Sequence, residues 1–112
     1  MVDFTYGGMN NPHHDLMEDV RSILGLGMDY VEITVEWPFS WVDSILPRVR
    51  ELIDLASSYD AFYLVHSPWY LEVGHPYEEV RKGALKVARR VLEVASLLES
   101  PCLLYTSPSP RD

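Results

Sequence analysis

Phe62-Tyr63-Leu64-Val65-His66-Ser67-Pro68-Trp69-Tyr70-Leu71-Glu72-Val73-Gly74-His75-Pro76 decides the fold. Residues 62–66 run apolar up to a closing histidine, which fits a strand buried on both faces. Ser67–His75 then reads as a loop, and Pro76 can open a helix because the N–H it lacks has no partner in a first turn. Glu78 and Glu79 follow where negative charge complements the helix dipole. Beyond them Val80, Ala84, Val87, Ala88, Val91, Ala95 and Leu98 recur at helical spacing as one apolar face. Arg81, Lys82, Lys86, Arg89 and Arg90 fall mostly elsewhere. Strand, loop and amphipathic helix make one βα unit.

Toward the N-terminus the same unit occurs twice more. Tyr30-Val31-Glu32-Ile33-Thr34-Val35 is rich in β-branched and aromatic residues and is closed by Pro38, so it reads as a second buried strand. From about Ser44, after a short turn at Ser40–Asp43, Ile45, Val49, Leu52, Ile53 and Ala56 predict a helix; Pro47 is tolerable only in its first turn. Earlier still, residues 2–7 suit a short strand ending at Gly7-Gly8, followed by a polar loop through Asn10-Asn11-Pro12. Asp15 and Glu18 form a capping box for a helix carrying Leu16, Val20, Ile23 and Leu24, and Gly25 and Gly27 stop it.

Three consecutive β-then-α units imply parallel strands joined by right-handed crossovers, either in an open doubly wound sheet or in a closed barrel. No Gly-x-Gly-x-x-Gly turn follows the first strand, which disfavours the dinucleotide-binding version of the open sheet. The expected fold class is α/β: the N-terminal three βα units of a (β/α)8 TIM barrel, truncated. A whole barrel takes about 250 residues and eight strands. A three-unit piece therefore keeps an open sheet edge, and aggregation or instability is expected of it.

Residues 1–101 are expected to form this partial barrel. Residues 102–112, Cys-Leu-Leu-Tyr-Thr-Ser-Pro-Ser-Pro-Arg-Asp, match in order the translation of a tagmentation-type sequencing adapter and are expected to be a non-native tail. The rival reading is a fourth strand, Cys102-Leu103-Leu104-Tyr105-Thr106, ending in a Ser/Pro turn.

Composition narrows the function classes. With 47% hydrophobic and 12% aromatic residues the chain has the make-up of a packed domain. Its 17 acidic residues outweigh 9 basic ones, for a net charge of −8 spread along the sequence, the opposite of a general nucleic-acid binder. No basic leader with an apolar run opens the chain, and no apolar stretch nears the ~20 residues of a membrane span, so a cytoplasmic protein without membrane contact is expected. Cys102 is the sole cysteine, so any metal must be held by histidine and carboxylates.

In a barrel the chemistry gathers at the carboxyl ends of the strands. That selects Tyr6, Asn10 and Asn11 after the first strand, Glu32 and Glu36 on or after the second, and the run His66–His75 after the third. His66 at a strand end suits either a metal ligand, one ring nitrogen coordinating while the other is fixed by an acceptor, or a buried structural histidine. Glu32 suits orientation of substrate hydroxyls, bracing of His66, or a plain salt bridge. Trp37, Trp41, Trp69 and Tyr70 could wall a sugar ring or simply pack. His13, His14 and His75 read as loop and cap residues.

His66-Ser67-Pro68-Trp69 … Gly74-His75-Pro76 resembles the third-strand loop of the endonuclease IV and xylose isomerase-like barrel superfamily. Gly27-x-Asp29-Tyr30-Val31-Glu32 is similar to the second strand of its sugar phosphate isomerases and epimerases. The resemblance covers nearly all of residues 1–101. It implies a parent enzyme with a divalent metal (Mn, Mg or Zn) held in part by His66, and a small sugar or sugar-phosphate substrate. Tyr6, Asn11, Glu32, Glu36, Trp69 and Tyr70 are the expected substrate-binding residues. The catalytic carboxylates would lie on later strands, so the truncated chain is expected to be inactive and to hold no metal stably. The alternative that the resemblance offers is a zinc-dependent abasic-site endonuclease, with His66 as a zinc ligand and Trp69 against DNA; the net charge opposes nucleic acid as a partner. A non-catalytic barrel fragment is the third possibility.

Overall fold

The computed structural model describes residues 3–104. Its elements are β1 (Gly7–Met9), α1 (Leu16–Gly25), β2 (Tyr30–Thr34), α2 (Val42–Ile45), a 3₁₀ turn (Leu46–Arg48), α3 (Val49–Ser58), β3 (Phe62–His66), α4 (Glu78–Leu97) and β4 (Leu103–Leu104). The strands form one parallel sheet in the order β1-β2-β3-β4. The fold class is therefore α/β, as the repeated units imply.

The third strand forms over the residues its apolar run marks out. The first does not. It lies at Gly7–Met9 rather than 2–7, with Val2 outside the described residues and residues 3–6 exposed. Pairing with β2 starts only where the Tyr6 N–H donates to Asp29 Oδ2 at 2.9 Å and the Asp29 N–H to the Tyr6 carbonyl at 2.7 Å. Gly7 then faces Tyr30 across the ladder, and a Cβ there would come within 2.2 Å of the tyrosine ring. The glycine lets that ring cross the backbone and stack on Phe62, 5.4 Å away. Gly7-Gly8 is thus part of the strand and not its end.

Helix α1 begins as expected, with the Asp15 side chain accepting from the Glu18 N–H at 3.0 Å. It ends at Gly25, and Gly27 takes the left-handed backbone (φ +87°) that turns the chain into β2. The second helix departs from expectation. Pro47 lies not in a first turn but between two helical pieces, in the 3₁₀ turn joining α2 to α3. With no N–H to reach back four residues, it is passed by a tighter turn. α4 starts at Glu78 with Tyr77 as N-cap, two residues beyond Pro76.

The core is a single apolar cluster on one side of the sheet. Val31 and Ile33 of β2 and Tyr63 and Val65 of β3 are at most 2% exposed beneath the helices. Leu16, Met17, Val20 and Leu24 of α1, Leu52 and Ala56 of α3, and Val91, Val94, Ala95 and Leu98 after them complete it. The Tyr63 hydroxyl donates to the Leu52 carbonyl at 2.7 Å, and its burial pushes the phenol pKa up. Residues of the opposite parity, Met9, Tyr30, Glu32, Phe62 and Leu64, face away from the helices and stay partly or well exposed.

Only the second half of α4 belongs to this core. Val91, Ala95 and Leu98 are buried as expected, joined by Val94, whereas Val80 is 43% exposed and Val87 and Ala88 are partly buried. Length explains this: twenty helical residues reach about 30 Å and five strand residues about 17 Å, so the helix overruns the sheet. After it, Leu103 pairs with Val65 and Leu104 with His66, which puts a fourth strand inside the segment read as a tail. These ladder bonds come from backbone alone, so an extended segment of any sequence satisfies the edge. Residues 105–112, and with them the rest of that segment, lie outside the described residues.

Candidate functional site

The carboxyl ends of β1, β2 and β3 meet at one edge of the sheet, and the polar residues that are buried collect there. Asn10, Thr34, Ser40, His66 and Ser67 are the buried polar side chains among the described residues. Asn10 follows β1, Thr34 ends β2, His66 ends β3, and Ser40 and Ser67 sit in the loops after β2 and β3.

His66 pairs in register with Thr34 and is 8% exposed. Its Nδ1 lies 2.7 Å from the Ser67 carbonyl. A carbonyl can only accept, so Nδ1 carries the proton, and in the neutral ring Nε2 is the basic nitrogen. Such an arrangement orients an imidazole whether it acts as a ligand, a proton carrier or a structural polar group.

Asn10 stitches three segments together. Its Oδ1 accepts the Thr34 N–H at 2.7 Å and its Nδ2 donates to Ser40 Oγ at 3.0 Å. Thr34 Oγ1, buried next to His66 on the same face of the sheet, has no hydrogen-bond partner among the described residues. A buried hydroxyl without a partner is costly, which makes this atom the natural point for a water or a ligand oxygen.

Glu36 connects the loops. Its own backbone bridges to Ser40, while Oε1 accepts the Trp37 N–H at 3.1 Å and Oε2 the Trp69 N–H at 2.9 Å. The carboxylate thereby pins the β3–α4 loop to the β2–α2 loop, leaving Trp69 44% and Tyr70 79% exposed at the rim. Glu32 sits half-buried on the open face, opposite Met9 and Leu64. It makes no ion pair among the described residues. On the ladder it is the diagonal neighbour of His66, a spacing of about 7–8 Å in such sheets.

Two expected site residues are misplaced. Tyr6 precedes β1 and pairs with Asp29, so it lies at the amino end of the sheet, opposite His66. Asn11 points away and builds its own loop: its Oδ1 accepts the His13 N–H at 2.9 Å and its N–H donates to Asp19. The cause is the late start of β1, since sliding a strand changes which neighbour faces inward. Asn10, weighed beside Asn11, is the residue that turns in; Thr34 and Ser40 carried no signal, because small hydroxyls at strand ends are ordinary. His14 pairs with Asp19 at 3.1 Å, and His75 Nδ1 accepts the Tyr77 N–H at 3.0 Å, so both make local loop contacts, and neither caps a helix.

Among the described residues no three His, Cys, Asp or Glu side chains converge as a metal-binding group. His66 and Glu32 alone do not make a divalent-metal site. No helix of the described residues is long and apolar enough to cross a membrane. No protein-family model and no curated protein sequence matches the chain.

Proposed function

We propose that this chain is the opening portion of a xylose isomerase-like (β/α)8 barrel, and that the whole protein is a metal-dependent sugar or sugar-phosphate isomerase or epimerase. The observation that carries the reading is the winding of the first three units: β1, β2 and β3 are parallel and in sequential order, with helices on one face. Half of a doubly wound sheet shares this winding, and what favours the barrel is that no Gly-x-Gly-x-x-Gly turn follows the first strand. The uncovered face, with Glu32, Thr34 and His66 at its carboxyl edge, would then be the barrel interior.

Within that reading His66 offers an imidazole oriented through Nδ1, and Thr34 and Glu32 offer a hydroxyl and a carboxylate that have no hydrogen-bonding or ion-pair partner, respectively, among the described residues. The divalent metal of the resembling family needs ligands that these residues do not bring together, so the chain by itself is proposed to be inactive. The endonuclease reading fares worse. Its His75 accepts the Tyr77 N–H in the loop before α4, and a net charge of −8 repels a phosphate backbone.

The test is the source locus, read past the codon for Pro101. A frame continuing for roughly 150 residues, with Glu, Asp and His at successive strand ends, supports the proposal. Its expressed product should interconvert aldose and ketose or epimeric sugars with Mn, Mg or Zn, and His66→Ala should abolish this. A stop directly after residue 112 overturns the barrel reading. A complete frame that cleaves an abasic-site duplex instead selects the endonuclease, and one lacking those carboxylates selects the non-catalytic fragment.

A further inference from the structure

We propose that a second site, outside the sheet, binds a small organic cation of the quaternary or alkylammonium class. It is a cleft of about 310 Å³ between the β2–α2 loop, the β3–α4 loop and the overrunning first half of α4. Trp37, Trp41 and Tyr70 give it aromatic walls, and Glu36, Glu72 and Glu79 give it carboxylates. The Trp37 and Trp41 rings stack at 5.7 Å with 23° between their planes, forming one plate, and Trp37 is 62% exposed.

The charge balance selects the ligand. Among the described residues no lysine or arginine lines the cleft. Of the five basic residues of the adjoining helix, Lys82 pairs with Glu78 at 2.9 Å, Arg81 donates to the His75 carbonyl at 3.1 Å and Arg90 pairs with Asp43, while Lys86 and Arg89 are not among the lining residues. Glu36 is held by two backbone N–H groups, which orient its carboxylate without neutralising it. Aromatic faces carry negative potential, so plate and carboxylates attract a cation together. The same charges repel a phosphate, and an uncharged ligand can use the carboxylates only as hydrogen-bond acceptors, without the attraction that a full positive charge adds. The site is therefore distinct in chemistry from the sheet edge that carries His66.

The test is a titration of the full chain, followed by tryptophan fluorescence and by NMR, with choline and with 3,3-dimethylbutanol, its uncharged isostere. Choline should give a saturable change and the isostere should bind at least about tenfold more weakly. Trp37→Ala and Glu72→Gln should each weaken choline binding severalfold, while Tyr59→Ala, at the far end of α3, should leave it unchanged. Equal affinity for the two compounds overturns the proposal. So do the absence of a saturable response to choline, competition by inorganic phosphate, or an equal loss in Tyr59→Ala.

Discussion

The two faces of the sheet are buried by different means, and they carry different residues as a result. Beneath the helices every strand residue is apolar or, like Tyr63, has its one polar atom bonded to a helix carbonyl. On the other face the buried strand residues are Thr34 and His66, at the carboxyl ends where the strands run into loops. Packing against helices excludes polar groups because each would need a partner in an apolar layer. Packing under loops tolerates them because loops bring backbone donors, acceptors and short polar side chains such as Asn10 and Ser40. Chemistry collects where the cover is made of loops.

The sharpest contrast is between two neighbours in β3. Tyr63→Ala should cost about 3–5 kcal/mol, since it empties a buried site, whereas Leu64→Ala, on the half-open face, should cost about 1 kcal/mol. Urea denaturation of both variants measures the difference, and equal losses would mean that the second face is also packed. Next is Asn10→Ala, which strands the buried Thr34 N–H and should cost about 1–3 kcal/mol. Asn11→Ala should cost visibly less in the same experiment, because it removes one exposed loop bond. The reverse order would restore Asn11 as the inward residue.

The smallest effect lies on the outer surface of the helical layer. Arg48 and Arg21 donate to Glu51 and hold its carboxyl below its ordinary pKa. A lowered folded pKa means that the contribution is fully present above the ordinary glutamate value of 4.5 and is lost as pH falls below it, through the lowered value. Glu51→Gln should therefore be slightly less stable than the parent at pH 7 and should converge with it in acid, as thermal melts across that range would reveal.

What was legible in the sequence follows the same division. β3 could be read at both ends because its apolar run is bounded by a turn at Asp60 and by Pro68, and the core half of α4 because its apolar spacing is unbroken. The first strand could not, since three residues containing two glycines carry little β propensity and are set by what lies opposite, the Tyr30 ring. The overrun of α4 was hidden for another reason: helical periodicity reports a stripe but not how far the partner surface extends. In the site, His66 and Glu36 were found as chemically distinctive residues at strand ends. Asn10 and Thr34 depend on a strand offset and an unpaired hydroxyl, and neither leaves a mark in composition or spacing.

One-sided covering also dictates shape. Neighbouring helices need about 8–10 Å of width each, whereas neighbouring strands sit about 4.8 Å apart. A layer of helices joined unit by unit to a narrower layer of strands behaves like a strip bonded to a wider one. It bends, with the wide layer outside. In the proposed barrel each added unit would turn the sheet further in the same direction, and the neighbouring groups Thr34 and His66 would be carried toward the hollow side.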